Sequence, residues 1–153
     1  MQNKEIKFEA VKEEYKSFGG RGLIAKILND EVNPNVNPIG EENKLIFCPG
    51  LLTGTTAPCS GRLSIGGKSP LTGTIKEANA GGTFSLLLAK HGIKAIVIEE
   101  KPKDENWFIL KIQNDNACLI HADEFVGMNN YKLVDNLKEK YGEKISIASI
   151  GCS

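Results

Sequence analysis

The glycine-rich segment at residues 49–83, here called the cradle segment, restricts the fold of this chain more than any other stretch. It reads PGLLTGTTAPCSGRLSIGGKSPLTGTIKEANAGGT, is rich in Gly, Ser and Thr, has almost no acidic residues, and contains Arg62 and Lys68. Glycines allow close backbone approach, and backbone N–H groups and hydroxyls donate hydrogen bonds to anions. The sequence therefore predicts a ligand-binding cradle here.

Hydrophobic periodicity predicts the elements around this segment. Apolar spacing of three to four residues predicts helices after Gly19, after Thr83 and over residues 131–141. Alternating or continuous apolar runs predict strands at 5–12, 44–48, 62–68, 73–79, 93–99, 106–113, 117–121 and 144–150. We expect the strands at 62–68 and 73–79 to form an antiparallel strand-loop-strand unit, and those at 106–113 and 117–121 to form a hairpin. Because strands and helices are grouped rather than regularly alternating, the predicted fold class is α+β.

Length and charge narrow the functional classes. The chain has 153 residues, which suits a single domain over 1–153. Lys plus Arg and Asp plus Glu are balanced at 19 each, so no overall field attracts nucleic acid or an anionic membrane. The sequence has no apolar run of membrane-spanning length and no signal-peptide pattern at its N-terminus, and we expect a cytoplasmic protein.

The cysteines do not form a metal-binding motif. They are widely spaced, without a C-x-x-C pair or a nearby histidine pair, and comprise Cys48, Cys59, Cys118 and Cys152. The local sequence therefore contains neither a zinc site nor an iron–sulfur cluster motif. We expect buried or half-buried free thiols in a reducing cell.

Two long motifs in the cradle segment carry a family resemblance. GLLTGTTAPCSGR followed by KSPLTGTIKEANAGG resembles the N-terminal domain of aldehyde ferredoxin oxidoreductases, the tungsten- or molybdenum-pterin enzymes of anaerobes. Flanking pieces agree in order: GGRGLIAKIL, NPIGEENKLIF, AIVIEEK and IASIG. The resemblance implies an α+β domain of packed β-sheets with two or three helices, beneath a metal cofactor.

The resemblance also implies site residues and cofactors. Arg62, Asn79 and Gly81 match positions at which family members hold tungstopterin or molybdopterin, and the Asn79 backbone carbonyl matches a ligand of magnesium. No catalytic residue is expected in this chain. The family's iron–sulfur cluster ligands are absent from it, and the implied partners are ferredoxin, through the complete enzyme, and a second copy or another polypeptide.

Several alternatives remain open on the sequence alone. Lys68 and Thr72 suit either ligand contact or support of the loop, and an arginine after a Ser-Gly turn is commonly a surface cation. Family members continue past the IASIG motif. An expressed fragment, a truncated gene or a small subunit completed by another polypeptide would each explain why this sequence is shorter. The function is then either part of the pterin site of an aldehyde-oxidising enzyme, or a non-catalytic ligand-binding or assembly module that pairs with another polypeptide.

Overall fold

The fold confirms the predicted α+β class, with three α-helices and antiparallel sheets. A computed structural model describes residues 5–100, 106–114 and 116–150. The chain divides into two compact units, Met1–Lys103 and Asp104–Ser153, and each is described by itself. The single domain over residues 1–153 stays a prediction. None of the helices in these ranges is long and apolar enough to cross a membrane.

The first unit is built on a four-stranded antiparallel sheet. In chain order, its elements are α1 (Gly20–Glu31), β1 (Lys44–Pro49), β2 (Leu63–Lys68), β3 (Ile75–Ala80), α2 (Phe84–Lys90) and β4 (Ile96–Glu99). The strand order is β3-β2-β1-β4, so β3 is an edge strand. The predicted strand-loop-strand unit of the cradle segment is confirmed as the antiparallel pair β2 and β3.

Helix α1 supplies one side of the hydrophobic core. Its leucines and isoleucines recur every three or four positions and are all buried: Leu23, Ile24, Ile27 and Leu28. They pack with Ile46 and Cys48 of β1 and with Tyr15. The Cys48 thiol is fully buried, and this burial raises its pKa to about 11.

Glycines at the start of α1 allow the helix to pack tightly. A Cβ at Gly19 would lie 2.4 Å from the backbone nitrogen of Leu51, which is a severe clash. Gly20 has a φ of +53°, in the left-handed region that favours glycine. The GGRG turn therefore lets the helix start against the end of β1.

The second unit contains a hairpin and a helix. Strands β5 (Phe108–Gln113) and β6 (Asn116–His121) pair antiparallel, and α3 spans Asn130–Tyr141. The Asn129 side chain caps α3 by accepting a hydrogen bond from the Lys132 N–H, and Gly142 follows the helix at a φ of +95°. The predicted hairpin and its following helix are confirmed, although Asp115 in the predicted turn lies outside the described residues.

Two predicted strands are wrong. Residues 5–12 and 144–150 are all described, and neither range forms a strand. Phe8 is 63% exposed and Ile150 is 82% exposed. Alternation predicts which side chains share a face, but a strand also needs a neighbour to pair its backbone groups. No described strand pairs with either range.

The end of α1 is tied to the sheet by an ionic network around Glu31. Lys12 and Lys44 donate hydrogen bonds to its carboxylate at 2.6 and 2.8 Å, and Tyr15 Oη lies 3.0 Å away. Burial alone would raise the pKa of Glu31, but these hydrogen bonds outweigh burial and lower that pKa to about 2. The ionised carboxylate therefore stabilises the folded chain.

We expect acid to weaken the fold through Glu31. Because its folded-state pKa is depressed, its contribution is complete above the ordinary glutamate pKa of about 4.3 and is lost as the pH falls towards 2. Glu31→Gln should lower stability at pH 7 and flatten the dependence of stability on pH in that window. Urea unfolding followed by circular dichroism at several pH values measures both effects. The control Glu13→Gln changes a glutamate whose side chain is 87% exposed, and an equal response of both variants would contradict the assignment.

Candidate functional site

The residues predicted to bind the cofactor come together where β2 begins and β3 ends. Arg62 immediately precedes β2, Asn79 lies in β3, and Gly81 follows β3. Antiparallel pairing places Ser64 opposite Asn79, which brings the start of one strand to the end of the other. The turn between the strands thus joins two motifs that are separated in sequence. We call Arg62, Ser64, Glu77, Asn79 and Gly81 the β2–β3 site.

Direct contacts connect the three predicted residues. Arg62 Nε donates a hydrogen bond of 2.6 Å to Asn79 Oδ1. A Cβ at Gly81 would lie 3.6 Å from an Nη atom of Arg62, so this glycine borders the guanidinium. In the part of the chain that the structure describes, the Nη groups of Arg62 have no hydrogen-bond partner. The planar fork that suits phosphate is available to a ligand.

The site lies on the face of the sheet that α1 covers. A Cβ at Gly66 would lie 2.7 Å from Ile24 Cγ2, so this position of β2 faces α1. Alternate residues of a strand share a face, which places Ser64 and Arg62 on the same side as Gly66. A Cβ at Gly20 would lie 3.3 Å from Ser64 Oγ. The positive end of the α1 dipole is therefore beside the site.

Glu77 gives the site an ionised carboxylate. Its pKa is lowered first by the hydrogen bond from Ser64, then by one from Asn79 and by the charges of Arg21 and Lys76, against the opposing effect of burial. The negative charge thus lies among hydrogen-bond donors and cations. An anionic ligand is favoured beside Arg62 only if these hydrogen bonds and cations offset the negative charge of Glu77.

The contacts of Lys68 and Thr72 favour one of the two roles considered for them. Lys68 Nζ donates to the backbone carbonyls of Pro34 and Val36 at 2.5 and 2.6 Å. Thr72 Oγ1 lies 3.0 Å from Thr74 Oγ1 in the turn between β2 and β3. Both side chains hold loops in shape, and this supporting role is the one that the contacts favour.

The cysteines only partly match the expected burial. Cys48 is buried, but Cys59 and Cys118 are exposed, and Cys152 lies outside the described residues. Over the described ranges 5–100, 106–114 and 116–150, no group of three or more His, Cys, Asp or Glu residues could hold a metal ion.

The donor set fits an anionic pterin cofactor in its chemistry. A pterin cofactor presents phosphate and a polar fused ring, which need a fork of N–H donors and close backbone approach. Arg62 supplies the fork, and Gly81 leaves the neighbouring backbone open. Alternate carbonyls of an edge strand such as β3 point away from the sheet. Binding of magnesium by the Asn79 carbonyl stays a prediction.

Sequence reasoning missed Ser64 and Glu77. Ser64 Oγ donates to Glu77 Oε1 at 2.6 Å, and Asn79 Nδ2 lies 3.3 Å from Ser64 Oγ and 3.4 Å from Glu77 Oε1. The i, i+2 spacing of Glu77 and Asn79 puts them on one face of β3, and that spacing is the signal that could have identified Glu77. Ser64 could be found only from the register of β2 against β3.

Comparisons with known proteins agree with the fold. The family model described as the aldehyde ferredoxin oxidoreductase N-terminal domain matches residues 1–153. The tungsten-containing aldehyde ferredoxin oxidoreductases of Pyrococcus furiosus and Pyrococcus abyssi are 39% and 42% identical, over 96% and 95% of this chain. In the active site complex BamBC of benzoyl coenzyme A reductase, solved with 1,5-dienoyl-CoA, one chain is 29% identical with a TM-score of 0.85. That match covers 94% of this chain and 22% of the other.

The curated relatives are oxidoreductases by name, and their sequences match this chain over nearly its whole length. The chain belongs to the aldehyde ferredoxin oxidoreductase family, as its N-terminal domain. The family resemblance carried by the two cradle motifs is thereby confirmed. The chain spans 24% of the length of both Pyrococcus relatives, about a quarter of each protein.

Proposed function

We propose that this domain forms one wall of a tungstopterin- or molybdopterin-binding site in a cytoplasmic enzyme of an anaerobe that oxidises aldehydes to carboxylic acids. The observation that carries the proposal is the convergence of Arg62, Asn79 and Gly81 at one end of the β2–β3 pair. The tungsten-containing relatives support the cofactor class.

Each residue of this wall has a role that follows from its chemistry. Arg62 would bind a cofactor phosphate through its Nη groups while its Nε stays on Asn79. Gly81 would let the ligand reach the backbone, and the Asn79 carbonyl would contribute to a magnesium site between pterin phosphates. When bound, the cofactor would supply the two-electron redox chemistry that converts an aldehyde into an acid.

The remaining parts of the reaction would come from protein beyond these 153 residues. The chain spans 24% of the length of the Pyrococcus furiosus relative, so most of that protein lies outside the match. We propose that an iron–sulfur cluster and contact with ferredoxin belong to that remainder. That remainder, a partner polypeptide or a second copy of the chain would close the site around Arg62.

A second function, as a non-catalytic ligand-binding or assembly module, is favoured by exposed apolar residues near the edge strand. Leu71, in the turn before β3, is 92% exposed, and Ile75 in β3 is 45% exposed. Exposed apolar side chains beside an open sheet edge suit a protein partner. A ligand-binding module would use the same contacts at Arg62, Asn79 and Gly81 but would not carry out redox turnover.

We expect the 153-residue chain to bind a pterin phosphate without oxidising aldehydes on its own, because the chain matches only a quarter (24%) of its relatives. The assay supplies anaerobic protein, tungstopterin, an aldehyde and a viologen acceptor, with and without the polypeptide that carries the remaining family motifs. Aldehyde-dependent acceptor reduction should require that polypeptide.

The control for this assay is Arg62→Ala in the complete mixture, which should lower turnover by weakening cofactor binding. Tungsten retained after gel filtration reports binding separately from activity. Sustained acceptor reduction by the parent chain alone would show that the domain is a complete enzyme. Retention of tungsten with no turnover in any mixture would favour the non-catalytic module.

A further inference from the structure

A hydrogen-bonded chain of side chains lies behind the Arg62 guanidinium. Arg62 Nε donates to Asn79 Oδ1 at 2.6 Å, and the other end of the amide, Nδ2, lies 3.3 Å from Ser64 Oγ and 3.4 Å from Glu77 Oε1. Ser64 in turn donates to Glu77 Oε1 at 2.6 Å. Ser64 is only 3% exposed, so this part of the chain is shielded from water.

The charges at the two ends fix the orientation of the amide. Arginine Nε can only donate, and an ionised carboxylate can only accept. The reversed amide would place its NH₂ group against Arg62 Nε and its oxygen against Glu77 Oε1, which creates two repulsive pairs. Asn79 must therefore point its oxygen to Arg62 and its nitrogen to Glu77, as observed.

We propose that Glu77, acting with Ser64, is a positioning residue that orients the Asn79 amide and, through it, holds Arg62 ready for an anionic ligand. The ligand class rests on the proposed function, whereas the orienting role rests on the contacts alone. Glu77 does not contact the ligand. Its effect reaches the ligand through Asn79 Oδ1, which fixes Arg62 Nε and leaves the Nη groups to bind.

A carboxylate so close to an anion site is unfavourable unless its charge is balanced. Two cations on different elements act on it, Arg21 in α1 and Lys76 in β3. Ser64 and Asn79 also direct their donors at Glu77. The Glu77 carboxylate is thus hydrogen-bonded and charge-balanced by groups of the protein itself.

Two substitutions separate the orienting role from a simple charge effect. Glu77→Gln and Glu77→Met both remove the negative charge, but glutamine keeps a carbonyl oxygen that accepts from Ser64 and Asn79, and methionine does not. Removing a negative charge alone would strengthen anion binding in both variants equally. The orienting role instead predicts that Glu77→Met binds more weakly than Glu77→Gln, by about two- to tenfold, the range for one net hydrogen bond.

The experiment uses the full 153-residue chain, with inorganic pyrophosphate as the probe and isothermal titration as the binding readout. A second readout needs no ligand: the ¹H–¹⁵N signals of the Arg62 Nε–H and the Asn79 side-chain amide. In Glu77→Met, the Arg62 Nε–H should exchange faster with water and the two Asn79 amide protons should become more alike. Glu77→Gln should retain most of the parent pattern. Glu42→Gln, at an exposed glutamate outside the site, is the control.

Weaker pyrophosphate binding by Glu77→Met than by Glu77→Gln, with loss of Arg62 Nε–H protection, supports the proposal. Equal or tighter binding by Glu77→Met, with unchanged Arg62 and Asn79 signals, overturns it. If the parent chain binds no pyrophosphate, the proposed anion site fails. The side-chain signals then still decide whether Glu77 orients Asn79.

Discussion

Replacing Ile24 with alanine should lower the free energy of unfolding by about 2–5 kcal/mol, the largest effect on stability that we expect from one substitution in this chain. Ile24 is fully buried and packs over Gly66 of β2, where a Cβ would lie 2.7 Å from its Cγ2. The Ile24 side chain occupies the space that a side chain at Gly66 would take. Removing the isoleucine methyl groups would leave a cavity that the adjacent strand cannot fill.

A graded series makes this prediction specific. Ile24→Val removes one methyl group and should cost about 0.5–1.5 kcal/mol. Ile39→Ala makes the same chemical change as Ile24→Ala at a side chain that is 62% exposed, and should change stability by about 0.5 kcal/mol or less. Urea unfolding followed by far-ultraviolet circular dichroism measures all three. Equal midpoints for Ile24→Ala and Ile39→Ala would refute the assignment of Ile24 to the core.

Local pattern was enough to predict the elements that carry the site. The spacing of Leu23, Ile24, Ile27 and Leu28 identifies the buried face of α1, and that face is buried in the structure. The two cradle motifs predict an antiparallel pair, and its register brings Arg62 to Asn79. These features depend on residues within one element or on a short connection, so the sequence contains most of the information needed.

Features that depend on distant partners could not be predicted in the same way. Residues 5–12 alternate like a strand, with Ile6 and Phe8 on one face, yet alternation does not specify a pairing partner. The role of Glu77 was hidden for a different reason. A single acid in a donor-rich segment looks unfavourable for anion binding, and its use becomes clear only when the register places Ser64 and Asn79 beside it.

Arg62→Ala should weaken binding of a pterin phosphate by about 1.5–3 kcal/mol, the range for a charge-assisted hydrogen bond. This corresponds to a loss of affinity of roughly 10- to 150-fold. The guanidinium is exposed, its Nε is held by Asn79, and its Nη groups have no partner in the described ranges. Because Arg62 lies outside the core, its removal should change binding much more than stability.

Two further variants show whether the fork geometry or the charge matters. Arg62→Lys keeps the charge but loses the bidentate fork, so it should recover only part of the affinity. Lys68→Ala removes a cation that donates to Pro34 and Val36 carbonyls, and it should lower stability while leaving affinity close to that of the parent. Isothermal titration gives the affinities, and urea unfolding of each variant confirms that the fold is retained. If Arg62→Ala binds as tightly as the parent while Lys68→Ala does not, the anion site lies at the β2–β3 turn rather than beside Asn79, and the cofactor wall proposed here is misplaced.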